Sequence, residues 1–309
     1  MLKALVQIHI AIFIWGFTGA LGKAISLQAI PLVWWRLFFT MLGLAVMVLF
    51  LKPVLKKYFS VIFIAKQQPL TLKNYLQIML PGAILALHWV GFYGSIKYAN
   101  VSVALICLST SALIAALLEP LFFKHKVAIK EVFFGVLVVL GIGIIYQTHL
   151  QFSKGIYYGI AAALLTVIAS LLNKKIGSKY APFTILLWQM LGAFITITVI
   201  YGFTLLQRHP IVLPTLSDCY YLLILSMVCT IITFLMLMLA LQKISVFTLN
   251  LLLTLEPIYG IALAFYWFNE YKDISNVFYI GFAIIISAVI LHSLNIKKNY
   301  KNNATRNLL

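Results

Sequence analysis

Acidic residues are scarce in this chain, and their scarcity excludes several classes of protein. Only six Asp and Glu residues occur among 309, and charged residues of both signs make up 9% of the chain. Soluble domains carry about 25% charged residues, so these few charges cannot cover a water-facing surface. The acidic residues within apolar runs also lie far apart in the sequence and form no paired-carboxylate motif.

Cysteine and nucleotide-binding motifs are also sparse. The three cysteines, Cys107, Cys219 and Cys229, form no CxxC pair, so the sequence indicates neither a disulfide framework nor a zinc site. There is no HExxH motif and no Walker loop, which excludes ATP as the energy source. We therefore predict no catalytic residue, no metal and no cofactor.

Hydrophobic residues, in contrast, make up 63% of the chain and occur in runs of about 20 residues. Such a run, as a helix, crosses the roughly 30 Å of hydrocarbon in a bilayer. We predict an all-α polytopic membrane protein whose first partner is the lipid bilayer. Ten spans are predicted, at residues 5–24, 31–51, 74–95, 101–123, 132–148, 155–173, 183–206, 218–241, 246–268 and 276–295.

The net charge of +17 reflects membrane topology rather than nucleic-acid binding. The lysines form no single patch, because they lie in the gaps between apolar runs. With the N-terminus inside, seventeen Lys and Arg residues fall in inner segments and four in outer segments, while Lys23 and Arg36 lie within or at the ends of spans. This positive-inside bias requires an even number of spans. It predicts a multi-pass protein of the cytoplasmic membrane with both termini in the cytoplasm.

Two weak repeats suggest that the chain consists of two halves. Lys23 precedes Pro31 by eight residues, and Lys174 precedes Pro182 by eight residues as well. Leu118-Glu119-Pro120 also has an echo in Leu255-Glu256-Pro257. Because each half would have five spans, an odd number, the second half would enter the membrane inverted, as in many secondary transporters. We predict a first five-helix repeat over 1–150, a second over 151–295 and a basic cytoplasmic tail over 296–309.

Two glutamates lie within apolar spans, where an acidic residue costs about 2.5–3.5 kcal/mol. Glu256 lies near the middle of its span, and Pro257 after it frees a backbone carbonyl, an arrangement typical of cation or proton sites in carriers. The alternative is a protonated core glutamate that only kinks the helix. Glu119 is a second candidate for proton coupling, or else it pairs with Lys124 or Lys126 at the interface.

Histidine, arginine and aromatic residues complete the candidate site. His88 titrates near neutral pH and is a candidate for proton coupling or substrate contact, alternatively a neutral histidine bonded to a neighbouring helix. Arg36 follows Trp34-Trp35 and is a candidate for binding a substrate carboxylate while tryptophans stack on its apolar part. The alternative is an interfacial aromatic belt with a snorkelling arginine. The predicted substrate-binding residues are Trp15, Arg36, His88, Trp89, Tyr93 and Glu256.

Over residues 1–295 the chain resembles the EamA family of the drug/metabolite transporter superfamily. The matching residues are Trp15-Gly16 with Lys23, Pro31, Arg36, the segment 95–103, Leu255-Glu256-Pro257, Gly260 and Glu270. The resemblance departs from the family in the first half, where Lys124-His125-Lys126 replaces the usual glutamate after the fourth span. It implies ten helices in two inverted repeats around a central cavity, and the export or exchange of small solutes such as amino acids.

We therefore expect a secondary transporter that exports a small metabolite by alternating access, with proton coupling as an option. Two other functions stay open. A membrane-embedded enzyme would need a cluster of nucleophile, acid or metal ligands, which the sequence does not display. A scaffold or sensor would be a sealed bundle without a water-accessible cavity. The substrate, the direction of net flux and the oligomeric state do not follow from the sequence.

Overall fold

The computed structural model describes residues 2–58, 60–63, 70–124, 126–127, 152–177, 179–206, 211–244, 255–272 and 275–284, with residues 129, 132–133, 135–137, 140–141, 144, 249, 252–253, 286–287 and 290–291. This part of the chain is helical and contains no strand.

Eleven α-helices carry labels in chain order. They are α1 (Leu2–Ala24), α2 (Ala29–Val46), α3 (Lys52–Tyr58), α4 (Leu72–Tyr98), α5 (Val101–Leu108), α6 (Ser111–Phe123), α7 (Ser153–Gly177), α8 (Pro182–Leu206), α9 (Leu216–Ser226), α10 (Thr233–Leu241) and α11 (Glu256–Phe268). Residues 276–284 are also helical.

Seven helical segments of the described chain are long and apolar enough to cross a membrane. They agree with seven predicted spans and confirm a polytopic helical membrane protein. Their bounds are Ala4–Ala24, Ala29–Leu51, Leu72–Tyr98, Val101–Phe123, Ser153–Gly177, Pro182–Leu206 and Leu216–Leu241. The predicted span 132–148, the start of 246–268 and the end of 276–295 lie largely outside the described residues, so ten spans and their inverted arrangement stay predictions.

The fourth span is interrupted in its middle. Helix α5 ends at Leu108, and α6 begins at Ser111. The hydroxyl of Ser109 donates to the carbonyl of Leu105, and that of Thr110 donates to the carbonyl of Cys107. Such local bonds compete with the regular helical ladder, so this break arises from two hydroxyl residues rather than from proline or glycine.

The predicted ninth span is interrupted as well, and here proline is the cause. Helix α11 begins at Glu256, with Pro257 in its first turn, where the missing N–H is tolerated. Leu255 precedes it in a turn, and its N–H donates to the carbonyl of Leu252. A half-helix therefore starts at Glu256, inside the predicted span.

Two spans contain π-helical segments, at Met47–Leu51 and Met227–Ile232. The second lies between α9 and α10, and the hydroxyl of Thr230 donates to the carbonyl of Leu225, five residues earlier, at 2.7 Å. The wider turn leaves backbone carbonyls without their usual helical partners, and one of them takes part in the site described below.

Helix α1 packs closely against the start of α11. A β-carbon on Gly16 would lie 2.7 Å from Cβ of Tyr259, and one on Gly260 would lie 3.1 Å from the carbonyl oxygen of Gly16. Neither position accommodates a larger residue without a shift, so α1 and α11 approach through their glycines. This contact brings the beginning of α11 near Trp15.

The spacing between the two Leu-Glu-Pro tripeptides differs from the spacing between the ends of the corresponding helices. The helical runs that end at Tyr98 and Leu241 are 143 residues apart, and those that end at Phe123 and Phe268 are 145 apart. The tripeptides are 137 residues apart. Glu119 therefore lies near the end of α6, whereas Glu256 begins α11, and the two glutamates do not occupy corresponding depths.

Candidate functional site

A cavity of about 110 Å³ lies inside the helical bundle, with room for several water molecules or a small solute. Both interrupted spans border it, through Ser111 at the start of α6 and Glu256 at the start of α11. The lining residues that the following paragraphs use are Trp15, Arg36, His88, Trp89, Asn173, Cys229, Thr230, Thr233 and Glu256.

Arg36 is the buried cation of this cavity. Only 2% of the residue is exposed. Its Nε and Nη2 donate to the hydroxyl of Thr230 at 3.0 and 2.8 Å, and its Nη1 donates to the phenol oxygen of Tyr93 at 2.8 Å. These bonds fix the guanidinium plane and use three of its five N–H groups. The geometry does not fit a snorkelling arginine, because the charged head points into the bundle.

The Arg36 guanidinium is not neutralised by an ion pair within the described chain, where no carboxylate oxygen lies within 4.0 Å of it. Instead its Cζ lies 4.1 Å from the ring centroid of Trp89, a cation–π distance. Neutral hydroxyls and an aromatic face compensate a buried charge only in part. An anion in the cavity would therefore gain a strong, directional partner.

Tyr93 lies behind Arg36 rather than on the cavity surface. The side chain is fully buried, and its hydroxyl accepts the Arg36 hydrogen bond. Its ring packs against Gly22 so closely that a β-carbon at that position would collide with it. Tyr93 thus supports the arginine from the side opposite the cavity.

Trp15 is held by the π-helical segment of the eighth span. Its Nε1 donates to the carbonyl of Cys229 at 3.0 Å and to the hydroxyl of Thr233 at 2.9 Å. The carbonyl of Cys229 is accessible because it lies in the π-helical Met227–Ile232 segment. The indole face thereby becomes a fixed part of the cavity wall.

His88 faces the cavity from α4 and is anchored to α7. Its Nδ1 lies 2.8 Å from the carbonyl oxygen of Ala162, and its ring is stacked nearly parallel to Phe92. A carbonyl only accepts hydrogen bonds, so Nδ1 carries the hydrogen. Gly91 allows this approach, because a β-carbon there would lie 3.1 Å from that of Ala162.

The structure brings five of the six predicted binding residues to one cavity: Trp15, Arg36, His88, Trp89 and Glu256. Glu119, the third proton-coupling candidate, does not line it. Glu119 is buried near the end of α6, close enough to Lys174 for their charges to interact.

Trp34 and Trp35 are directed away from the cavity, which corrects the expectation that they stack on a bound solute. Nε1 of Trp34 donates to the hydroxyl of Thr198, and Nε1 of Trp35 donates to the carbonyl of Val212. Consecutive helical residues point in different directions, so with Arg36 inside the bundle its two predecessors point elsewhere. Trp89 supplies the aromatic contact to Arg36 instead.

Thr230, Thr233 and Asn173 were not predicted as site residues on functional grounds. The two threonines lie in the segment around the π-helical turn, which hydrophobic periodicity does not reveal. Asn173 joins two helices, because it accepts from Nε2 of Gln189 at 2.5 Å, and it also lines the cavity. Polar residues in an otherwise apolar span were the available signal.

Within the described residues, no group of three or more His, Cys, Asp or Glu side chains is placed to hold a metal ion. The cavity offers hydroxyl, amide, imidazole, guanidinium and carboxylate groups between aromatic walls. Such a lining suits reversible binding of a small organic solute.

Comparisons with known proteins agree with this description. The model of the EamA-like transporter family matches residues 2–147 and again residues 153–294. An uncharacterized transporter of Haemophilus influenzae is 24% identical over 310 residues, which cover 91% of this chain and 95% of that protein. A protein of known crystal structure superposes with a TM-score of 0.64 at 14% identity, over 96% of this chain and 98% of that one, a likeness of fold.

Proposed function

Because the chain belongs to the EamA-like transporter family, we propose that it is a secondary transporter that exports a small metabolite, such as an amino acid, by alternating access through the central cavity. The charge bias of the loops supports a place in the cytoplasmic membrane with both termini in the cytoplasm. Two five-helix repeats, over 1–150 and 151–295, are part of the same proposal.

The observation that carries this proposal is the Arg36 guanidinium, which is buried at the cavity with no carboxylate oxygen of the described chain within 4.0 Å. Glu256 lines the same cavity and interacts with this charge only at longer range. A charge in hydrocarbon is costly and is retained where it has a task. Arg36 has two N–H groups beyond its bonds to Thr230 and Tyr93, enough for a bidentate contact with a carboxylate. Trp15 and Trp89 would enclose the apolar part of the solute.

The interrupted helices support transport over a sealed scaffold. In carriers, half-helices that end near the bilayer midplane offer unpaired backbone groups to the substrate and the coupling ion. Here α6 begins at Ser111 and α11 begins at Glu256, and both residues line the cavity. A scaffold has no need for two interrupted spans that meet at one cavity.

Glu256 is the proton-coupling residue of this proposal. Its carboxyl borders the same cavity as Arg36 and begins a helix whose positive end favours the carboxylate. Solute and proton would thus reach Glu256 through one space. His88 is less suited to this task, because its Nδ1–H is committed to the Ala162 carbonyl, and Glu119 lies outside the cavity.

Flux through proteoliposomes tests the proposal. Purified protein is reconstituted around a mixture of amino acids and small carboxylic acids, and the loss of each solute is followed by mass spectrometry with and without an imposed pH gradient. We expect loss of one class of anionic or zwitterionic solute. Arg36→Lys keeps the charge but loses the planar fork, so flux at low solute concentration should fall about 10- to 100-fold.

Lys154→Gln is the matched control, because Lys154 is an exposed cation that stacks on Tyr98 away from the cavity. Its flux should equal that of the wild type. Absence of flux for every solute, or an Arg36→Lys protein that transports like the control, would contradict the proposal. Glu256→Gln should retain exchange of solute for solute but lose acceleration by the pH gradient; an unchanged gradient response would remove Glu256 from the coupling role.

A further inference from the structure

The ring of His88 is oriented so that its two nitrogens have different tasks. Nδ1 donates to the carbonyl of Ala162 at 2.8 Å, between α4 and α7. Nε2 has no hydrogen-bond partner among the described residues. It is also absent from the buried polar atoms that lack a partner, so it is accessible to solvent. Because His88 lines the cavity, Nε2 is the nitrogen that a bound solute meets.

The packing of α4 on α7 makes this orientation rigid. Gly91 brings the two helices into contact beside Ala162, and Phe92 is stacked on the imidazole with an interplanar angle of 7°. A ring flip would place a C–H group against the Ala162 carbonyl and lose the hydrogen bond. In the neutral ring with hydrogen on Nδ1, Nε2 presents a lone pair and accepts.

His88 and Arg36 are neighbours at one cavity. Trp89, the residue after His88, lies with its ring centroid 4.1 Å from Cζ of Arg36. Arg36 offers only donors and the neutral His88 offers only an acceptor to the cavity. A solute that satisfies both needs an acid group for the arginine and, within a few bonds, an O–H or N–H for the histidine.

We propose that His88 is a specificity-determining residue: Nε2, held as an acceptor by the bond from Nδ1 to Ala162, selects acids that carry a hydrogen-bond donor beside the carboxylate. It favours 2-hydroxy and 2-amino acids over the 2-oxo acids of the same carbon skeleton. This inference rests on the proposed transport function. Its physical basis is that a 2-oxo oxygen and Nε2 are both acceptors and leave each other unpaired.

Matched pairs of solutes test this selection in proteoliposomes. The pairs are L-lactate with pyruvate, and L-2-hydroxy-4-methylpentanoate with 4-methyl-2-oxopentanoate, with alanine and leucine as the amino analogues. Protein-free liposomes measure passive leakage, which is subtracted. Wild-type protein should transport the hydroxy and amino members about tenfold faster than the oxo member at concentrations below saturation.

Three variants separate recognition from structural support. His88→Phe retains a flat ring against Phe92 but has no acceptor, so transport of the hydroxy acid should fall to the level of the oxo acid, whose own rate stays unchanged. His88→Gln places an amide oxygen near the position of Nε2 and should restore part of the preference. His88→Asn can still donate to Ala162 but does not reach the position of Nε2, and it should behave like His88→Phe.

The outcomes distinguish this inference from the function on which it rests. If the wild type transports none of the acids, the proposed substrate class fails and the inference fails with it. If the wild type transports both members of each pair equally, or if His88→Phe slows both members by the same factor, transport stands and the specificity role is wrong. Thermal melting in detergent identifies a misfolded variant. If His88→Phe misfolds, the test is whether His88→Gln retains more of the preference for the hydroxy acid than His88→Asn does.

Discussion

Different kinds of hydrogen bond connect the helices at the two ends of the bundle. At the end where α1 finishes and α5 begins, which we call the Glu270 end, a fully buried carboxylate joins three elements. Glu270 accepts from Lys23 Nζ at 2.8 Å and from the backbone N–H groups of Val101 and Ser102 at 3.1 Å. It also accepts from the Ser102 hydroxyl at 2.7 Å. The carboxylate caps α5 and ties it to α1.

The opposite end, where α7 and α10 finish, is the Lys174 end, and its cross-links are donors to helix-terminal carbonyls. Lys174 donates from the last turn of α7 to the carbonyl of Leu241 at 2.6 Å and to that of Ile244. Gln242 donates to the carbonyl of Gly177 at 3.2 Å. These bonds satisfy orphan carbonyls, but both donors are flexible side chains: Lys174 is half-buried and Gln242 is exposed.

The cavity lies nearer to the Lys174 end. Asn173 is four residues from the end of α7, roughly 6 Å along the helix axis. Towards the Glu270 end, Thr18 is six residues from the end of α1 and Arg36 is seven from the start of α2, roughly 9–10 Å. For a transporter of the kind proposed above, we infer that the Glu270 end is the closed gate and that a solute would leave or enter past the Lys174 end.

Loss of the Glu270 charge should have the largest effect on this comparison. Glu270→Gln removes the ion pair with Lys23 and replaces one acceptor oxygen by an amide that cannot accept from the α5 backbone. We expect the free energy of unfolding, measured by titration with sodium dodecyl sulfate, to fall by about 2 kcal/mol. Lys272→Gln is the control, because Lys272 is an exposed cation of the same short turn, Glu270–Lys272.

The same variant should open the Glu270 end. Cys229 lines the cavity, so in a protein whose other cysteines, Cys107 and Cys219, are replaced by serine it reports accessibility. A membrane-impermeant maleimide should label Cys229 in only one orientation of membrane vesicles. Glu270→Gln should raise labelling from the other side several-fold. Labelling that stays one-sided in Glu270→Gln would show that the gate does not depend on this carboxylate.

Asp218 is the second carboxylate of the Glu270 end and should have a smaller effect. It accepts from the backbone N–H and the hydroxyl of Ser26 at 2.8 and 2.7 Å, and from the N–H of Thr215 at 3.0 Å. Asp218→Asn keeps one acceptor oxygen, so we expect a loss of about 1 kcal/mol in unfolding free energy. Tyr220→Phe, an exposed change two residues further along α9, should leave the unfolding free energy unchanged. If the Asp218→Asn protein were as stable as this control, the bonds from Asp218 to Ser26, between α1 and α2, would not contribute to the stability of the Glu270 end.

The sequence singled out several of the residues that line the cavity but not the contacts of the Glu270 end, for a physical reason. Arg36, His88 and Glu256 stand out because a polar group in an apolar span must have a partner or a task. Pro257 likewise indicates a freed carbonyl and a local break in the predicted ninth span, since proline cannot continue a hydrogen-bonded ladder. Residue type alone carries both signals.

The break in the fourth span and the π-helical segment of the eighth could not be predicted in this way. Ser109 and Thr110 are tolerated within helices, and only tertiary packing decides whether their hydroxyls replace the backbone bonds. Thr230 likewise acts through a π-helical turn, and its bond to Arg36 joins residues 194 positions apart. The contacts of the Glu270 end depend on similar long-range pairs, because Lys23 and Glu270 are 247 positions apart.

Lys174→Gln should have the smallest effect, and it sharpens the comparison from the other end. A shorter, neutral amide loses at least one of the bonds to the carbonyls of Leu241 and Ile244 and also the charge interaction with Glu119. Water reaches this partly exposed position and compensates for part of these losses. We expect a loss of about 0.5 kcal/mol, with Lys175→Gln, an exposed neighbour, as the control. If a solute passes the Lys174 end, transport should accelerate rather than slow, because the contacts that hold this end together are loosened. If the unfolding free energy of Lys174→Gln fell as far as that of Glu270→Gln, both ends of the bundle would be equally stable. The inferred difference between the Glu270 end and the Lys174 end would then be wrong.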